Sequence, residues 1–180
     1  YNAARTATVT VDESNFDLMF ARDPKRVIAT ITRDGNGTGT LLAKDFKQAT
    51  MRDVEGVEHR VWQASYKFED DADWHIECGF TDGAGRASNT VSEDFVIDTQ
   101  APVLTVTFDN NDVANGMYYK AMRAATIRVA DRNFSPDLAD VNVDSSGATP
   151  AQSGWREIEP RLQSEDTVSF TGELHYRLRV

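Results

Sequence analysis

The sequence has a single cysteine, Cys78. No disulfide can close within the chain, so a hydrophobic core must hold whatever it folds into. A lone thiol can be a nucleophile. Cys78, however, alternates with Trp74, Ile76 and Phe80, which reads as the apolar side of a strand and a structural thiol. No apolar run approaches the ~20 residues that span a bilayer, so no membrane span is expected in this segment. Base is scarce: 19 Lys and Arg stand against 29 Asp and Glu, a formal charge of −10. Both signs are interspersed. A phosphate-backbone binder needs clustered Lys and Arg, so no nucleic-acid partner is expected.

Histidine is also scarce. His59, His75 and His175 are not spaced as metal pairs, and one cysteine leaves no Cys–His zinc site. His75 falls on the face opposite Trp74 and Ile76, and His175 precedes Tyr176 as Asp73 precedes Trp74. Both read as surface or turn positions. The glycines of residues 34–40, DGNGTGT, lack the strand-to-helix setting of a phosphate loop and read as a hairpin turn. Paired carboxylates for glycoside hydrolysis need a cleft; the acids here fall on turns. Lys67 points to the polar side of its strand, so no buried Lys–Asn–acid trio for a self-made cross-link emerges. No catalytic residue is assigned, and the chain is not expected to be an enzyme.

What is present is alternation. Residues 5–11 place Ala7, Val9 and Val11 on one side and Thr6, Thr8 and Thr10 on the other, the signal of a half-buried strand. Further strands are expected at 27–32, 38–42, 57–68, 74–80 and 87–97, separated by glycine and acid turns. Residues 16–20 are a short apolar stretch broken at Asp23-Pro24. Residues 43–58 are the least readable part, an excursion with a weak helical look at 44–51. Residues 98–102 form a joint in which Pro102 stiffens the backbone and limits the angles between neighbouring modules. A new strand is expected at 103–108.

Beyond that joint the chain repeats itself. Residues 1–11 align with 119–129, and Asn15-Phe16 with Asn133-Phe134, all 118 apart. Phe68, Trp74, Ile76 and Cys78 align with Phe170, Tyr176, Leu178 and Val180, 102 apart. The second copy is therefore 16 residues shorter between these matches, a loss expected where the first copy carries its excursion. A match at this spacing marks tandem modules. Two domains are expected, 1–98 and 99–180, the first without a counterpart of 103–108 and the second without one of 87–97. Both would be pieces of a longer protein that supplies the missing strands, because an unpaired sheet edge invites strand addition.

Several motifs resemble bacterial immunoglobulin-like repeats of large surface proteins, particularly Gram-positive adhesins. They are Asp70-x-Ala72-x-Trp74-x-Ile76, the turn Thr81-Asp82-Gly83-Ala84-Gly85-Arg86, Phe95-x-Ile97-Asp98-Thr99-x-Ala101-Pro102, and RAATIRVADRNF over 123–134. Arg86 departs from the Asn usual in that family, and the 43–58 excursion is foreign to its pattern. The resemblance implies an all-β chain of two antiparallel immunoglobulin-like β-sandwiches. It also implies an extracellular, cell-surface or wall-attached location and neighbouring repeats of the same parent chain as partners. The expected role is a stalk or spacer. The alternatives are an adhesion module for a host protein or glycan, or an accessory module of a secreted glycan-active enzyme.

Trp155 is the candidate binding residue, the one aromatic without an evident inward position. Asp70, Asp71 and Asp73 crowd one turn and Asp109 and Asp112 another; calcium, which takes six to eight oxygens, is the cofactor such loops would hold. At the 109–112 loop it would rigidify the joint. The expected core is Val9, Val11, Ile31, Trp62, Tyr66, Phe68, Trp74, Ile76, Cys78 and Phe80 in the first module. In the second it is Leu104, Val106, Ile127, Val129, Phe170, Tyr176 and Leu178.

Overall fold

The computed structural model describes residues 1–147, 149–159, 162–171 and 176–180. The chain is all-β with antiparallel sheets and divides into two compact units, Tyr1–Thr99 and Gln100–Val180.

In the first unit the strands are β1 (Arg5–Val11), β2 (Val27–Arg33), β3 (Asn36–Leu42), β4 (Lys47–Arg52), β5 (Glu58–Phe68), β6 (Ala72–Cys78) and β7 (Val91–Ile97). They form two sheets, β1-β5-β4 and β3-β2-β6-β7. Val11, Ala64 and Phe68 of the first sheet share a buried cluster with Ile28, Ile31, Trp74, Ile76 and Ile97 of the second. The Phe68 ring meets Trp74 at 5.1 Å and Phe95 at 4.9 Å, both edge-on, the arrangement aromatic quadrupoles favour. Each such side chain stabilises the unit by roughly 1.5–3 kcal/mol through burial, which a chain without disulfides requires.

Two stretches differ from expectation. Residues 16–22 form a helix, α1 (Phe16–Arg22), which buries Phe16 and Met19. The Phe16 ring packs on Phe46, Trp62 and Phe80 at 5.5, 5.3 and 6.2 Å. The excursion, by contrast, is not an α-helix. A 3-10 turn, Ala43–Asp45, leads into β4, which pairs with β5 from Lys47↔Gln63 to Arg52↔Glu58. The free edge of a long strand offers six residues of backbone partners, and that outweighs a weak helical preference.

The 34–40 stretch does turn a hairpin. Asp34 and Gly35 take φ of 48° and 76°, and β2 pairs with β3. Gly39 is needed for a different reason: a Cβ there would lie 2.9 Å from the Tyr66 ring. The last strand begins at Val91 rather than 87, because the preceding residues close the 80–88 turn through a Thr81↔Ala87 bridge.

In the second unit the strands are β8 (Val103–Phe108), β9 (Val113–Asn115), β10 (Tyr118–Tyr119), β11 (Arg123–Ala130), β12 (Asn142–Ser145), β13 (Ala151–Gln152), β14 (Arg156–Glu159), β15 (Gln163–Phe170) and β16 (Tyr176–Arg179). One sheet runs β13-β15-β11-β8 with β14 also on β15; β12 pairs β16, and β9 pairs β10. Ala125, Ile127, Val168 and Phe170 are the buried cluster, flanked by Phe108, Val143, Trp155, Tyr176 and Leu178. Leu104 and Val106 are not core: they are 48% and 39% exposed. They stand beside Val129 and Ile127 in the ladder. The partner sheet of described residues has only β12 and β16, too narrow to cover them.

The register carries the internal repeat. Arg5 pairs with Phe68 and Arg123 with Phe170, so the residues matched at the two sequence offsets are ladder partners in both units. Further equivalences show where the second unit is shorter. Ile31↔Ile76 corresponds to Val143↔Leu178, an offset of 112 on the first strand. Gln48↔Trp62 corresponds to Glu157↔Ser164, an offset of 109. The loss is thus spread over three connections: six residues around α1, three before β4 and seven in the β4–β5 turn. It is not one deletion of the excursion.

Candidate functional site

The acid clusters are built as turn fastenings. Asp70 Oδ2 accepts from Arg33 Nη1 at 2.6 Å. Asp71 Oδ1 accepts from the Thr99 backbone N–H at 3.0 Å and from its hydroxyl at 2.9 Å. The Asp73 N–H donates to Asp34 Oδ1 at 3.0 Å. Asp109 Oδ1 accepts from the Ala124 N–H at 2.7 Å, and the Asp112 N–H donates to Asn110 Oδ1 at 2.9 Å. The Asp70 and Asp71 carboxylates therefore serve different neighbours, while the Asp73 and Asp112 bonds run through backbone N–H groups. Among the described residues, no three His, Cys, Asp or Glu side chains gather as a metal ion would need.

Trp155 packs inward. Its ring lies 4.8 Å from that of Phe134, and its Nε1 donates to the Ala139 carbonyl at 3.3 Å. His75 Nδ1 lies 2.8 Å from Asp94 Oδ1, at the surface. His175 lies outside the described residues. Lys67 is exposed and pairs with Glu69.

Two turns carry perturbed carboxylates. Asp53 accepts from His59 at 2.8 Å and from the N–H groups of Val57 and Glu55 at 2.9 Å. The His59 bond, then the backbone donors, hold its carboxyl below the usual range. Asp82 Oδ1 accepts from the N–H groups of Arg86 and Ala84 at 2.8 Å, and Oδ2 from Arg86 Nε at 3.0 Å. The Arg86 N–H leads in lowering it. The turn is therefore fastened by Asp82, with Arg86 adding a charged donor where an Asn side chain was expected. Both are structural devices. Burial raises the Cys78 thiol, which keeps it mostly protonated near neutral pH.

Sequence reading missed two features. Asp166 is only 3% exposed and accepts from the Ser153 hydroxyl at 3.0 Å. Strand alternation places it inward with Ser164, Val168 and Phe170, but a carboxylate at such a position does not announce its partner.

The second feature is a groove of about 720 Å³ in the first unit. One wall is β1, from Ala7 to Val11, and the other includes Val91, Ser92 and Glu93 of β7. Ile28, Ile76, Cys78 and Phe80 also line it. Both walls are edges, since β1 and β7 each end their sheets. Two residues before Ala7, the Arg5 guanidinium lies 4.3 Å from the Tyr1 ring and 4.6 Å from Phe95, and bonds Glu93 of the other wall at 2.6 Å. Tyr1 is itself tied to β7: its amino group donates to the Val96 carbonyl at 2.7 Å.

No described helix is long and apolar enough to cross a membrane. Comparison with family models and with curated proteins found no match to this chain.

Proposed function

We propose that the chain is a non-catalytic pair of immunoglobulin-like modules from an extracellular bacterial surface protein, serving as a stalk or spacer. The observation that supports this reading is the repeated ladder: the same residues, Arg5 and Phe68 in one unit and Arg123 and Phe170 in the other, pair at equivalent places. A stalk is made by repeating a unit that owns its core, and each unit here has its own buried cluster. Interspersed charge with a net −10 keeps such repeats soluble and mutually repelling. The candidate ligand residues serve the fold: Trp155 is packed, and Asp70, Asp71 and Asp109 fasten turns.

The test is an array of glycans and matrix proteins probed with the intact chain. A spacer gives no saturable signal above that of an unrelated acidic protein. A saturable hit, retained in dilution and weakened in Trp155→Ala, overturns the spacer reading in favour of adhesion or glycan targeting.

A further inference from the structure

The two units treat equivalent residues differently. Ala125 and Ile127 are fully buried, whereas Ala7 and Val9, their counterparts 118 residues earlier, are half-buried on the groove wall. Val11 and Val129, the next matched pair, are both 6% exposed, so the difference is confined to the Ala7–Val9 end of the strand. In the second unit β8 pairs antiparallel with β11: Phe108 stands beside Ala125, Val106 beside Ile127 and Leu104 beside Val129. In the first unit the corresponding edge of β1 carries no strand among the described residues.

We infer that the groove between β1 and β7 is an acceptor for an extended polypeptide strand of the β8 type, bound antiparallel to β1. An unpaired strand edge supplies backbone donors and acceptors, and a facing apolar wall supplies side-chain selection. Transferring the β8–β11 register fixes the occupant's chemistry. An aromatic residue lies beside Ala7, and aliphatic residues two and four positions earlier lie beside Val9 and Val11.

The arginine clamp supports the register. Arg123 lies 3.6 Å from the Phe108 ring and 3.9 Å from Tyr119. Its counterpart Arg5 has the matching Tyr1, at 4.3 Å. Among the described residues of the first unit no strand supplies the ring that β8 contributes; Phe95 of β7 stacks on Arg5. The occupant would also meet Ile76, Cys78 and Phe80 across the groove. This inference rests on the repeat and the groove, and stands whether or not the chain is a stalk.

Cys78 lines the groove and reports on it. The probe is a synthetic peptide of residues 101–110, APVLTVTFDN, added to the intact chain. Saturating peptide should slow amide exchange on β1 and alkylation of Cys78, each by tenfold or more. Val91→Glu, on an exposed part of the groove wall, should weaken the peptide at least tenfold, while Val57→Glu, outside the groove, should not. A chain with a copy of residues 101–118 placed ahead of Tyr1, which restores the spacing of the second unit, should melt several degrees higher.

Unchanged β1 exchange and Cys78 alkylation at saturating peptide would overturn the inference, as would an extended chain that melts no higher. Concentration-dependent β1 protection in the peptide-free chain, with a dimer in solution, would instead assign the edge to a second copy and overturn it as well.

Discussion

The first unit holds β1 at the edge of a three-stranded sheet; the second holds its counterpart β11 inside a sheet, between β15 and β8. The residues are nearly the same kind, yet Ile127 is fully buried and Val9 is half-buried. The opposite asymmetry holds on the facing sheet. In the first unit that sheet has four strands, and in the second the described residues supply β12 and β16. Each unit thus shows what a neighbour not found among the other's described residues contributes. A strand's sequence pattern sets which face turns inward, while burial depends on what lies beside and across from it.

Substitutions at matched positions sharpen this contrast. The largest effect is expected at Phe68, which is fully buried among Trp74, Tyr66 and Phe95. Phe68→Ala should cost the first unit ~3–5 kcal/mol in urea unfolding. Its counterpart Phe170 is 9% exposed, and Phe170→Ala should cost the second unit less. Equal losses would break the claim that the two cores are unequally closed. Next comes the pair on the equivalent strands: Ile127→Ala should cost about 2–5 kcal/mol, and Val9→Ala less than ~1 kcal/mol. Val9 is half-buried, with no described strand on that side of β1, so it has less buried apolar surface to lose.

Much of this was legible because period-two alternation is a local signal. Trp74, Ile76, Val11 and Ile127 are buried as the pattern requires. The repeat was legible too, since its residues are ladder partners in the structure. Three things were not. The strand at 47–52 has no clean alternation and is exposed along most of its length; it exists because β5 offers an edge. Leu104 and Val106 alternate well, but alternation cannot say whether a covering sheet is wide enough. Asp70 and Asp71 sit together in sequence, yet their side chains reach to Arg33 and Thr99 in distant segments. Trp155 had no periodic context, so its contact with Phe134 was invisible.

Smaller effects separate the units by how they fasten polar groups. Asp166→Ala should destabilise the second unit by about 1–3 kcal/mol, because the Ser153 hydroxyl loses a buried acceptor. The equivalent position of the first unit, Ala64, is apolar and asks for no such partner.

Both units should respond to acid, the second through Glu165, which its bonds from Arg128 and Arg156 hold below the usual range, and the first at its turns. Asp53 and Asp82 are held below the ordinary carboxylate range in the fold. Their contribution is therefore present above the unfolded value of ~4 and lost as pH falls through the lower folded value. Melting followed from pH 6 to pH 3 should show a decline in the first unit that is shallower in Asp82→Asn. A decline of the same steepness in that variant would remove Asp82 from the account.

The smallest effect is expected from salt. Glu165 bonds Arg128 and also pairs with Arg156. The arginines are exposed while the Glu165 side chain is 13% exposed; pairs with an exposed partner contribute ~0–1 kcal/mol and partly covered ones are screened less, so 1 M salt should shift the melting of the second unit only slightly.

The central claim is that equivalent strands differ because β11 has β8 beside it, whereas among the described residues no strand lies on that side of β1. Residue-resolved amide exchange on the intact chain tests this most directly. The outward-facing amides of β1 should exchange at least tenfold faster than the matched amides of β11, which bond to β8. Equal protection of the two strands would contradict the claim.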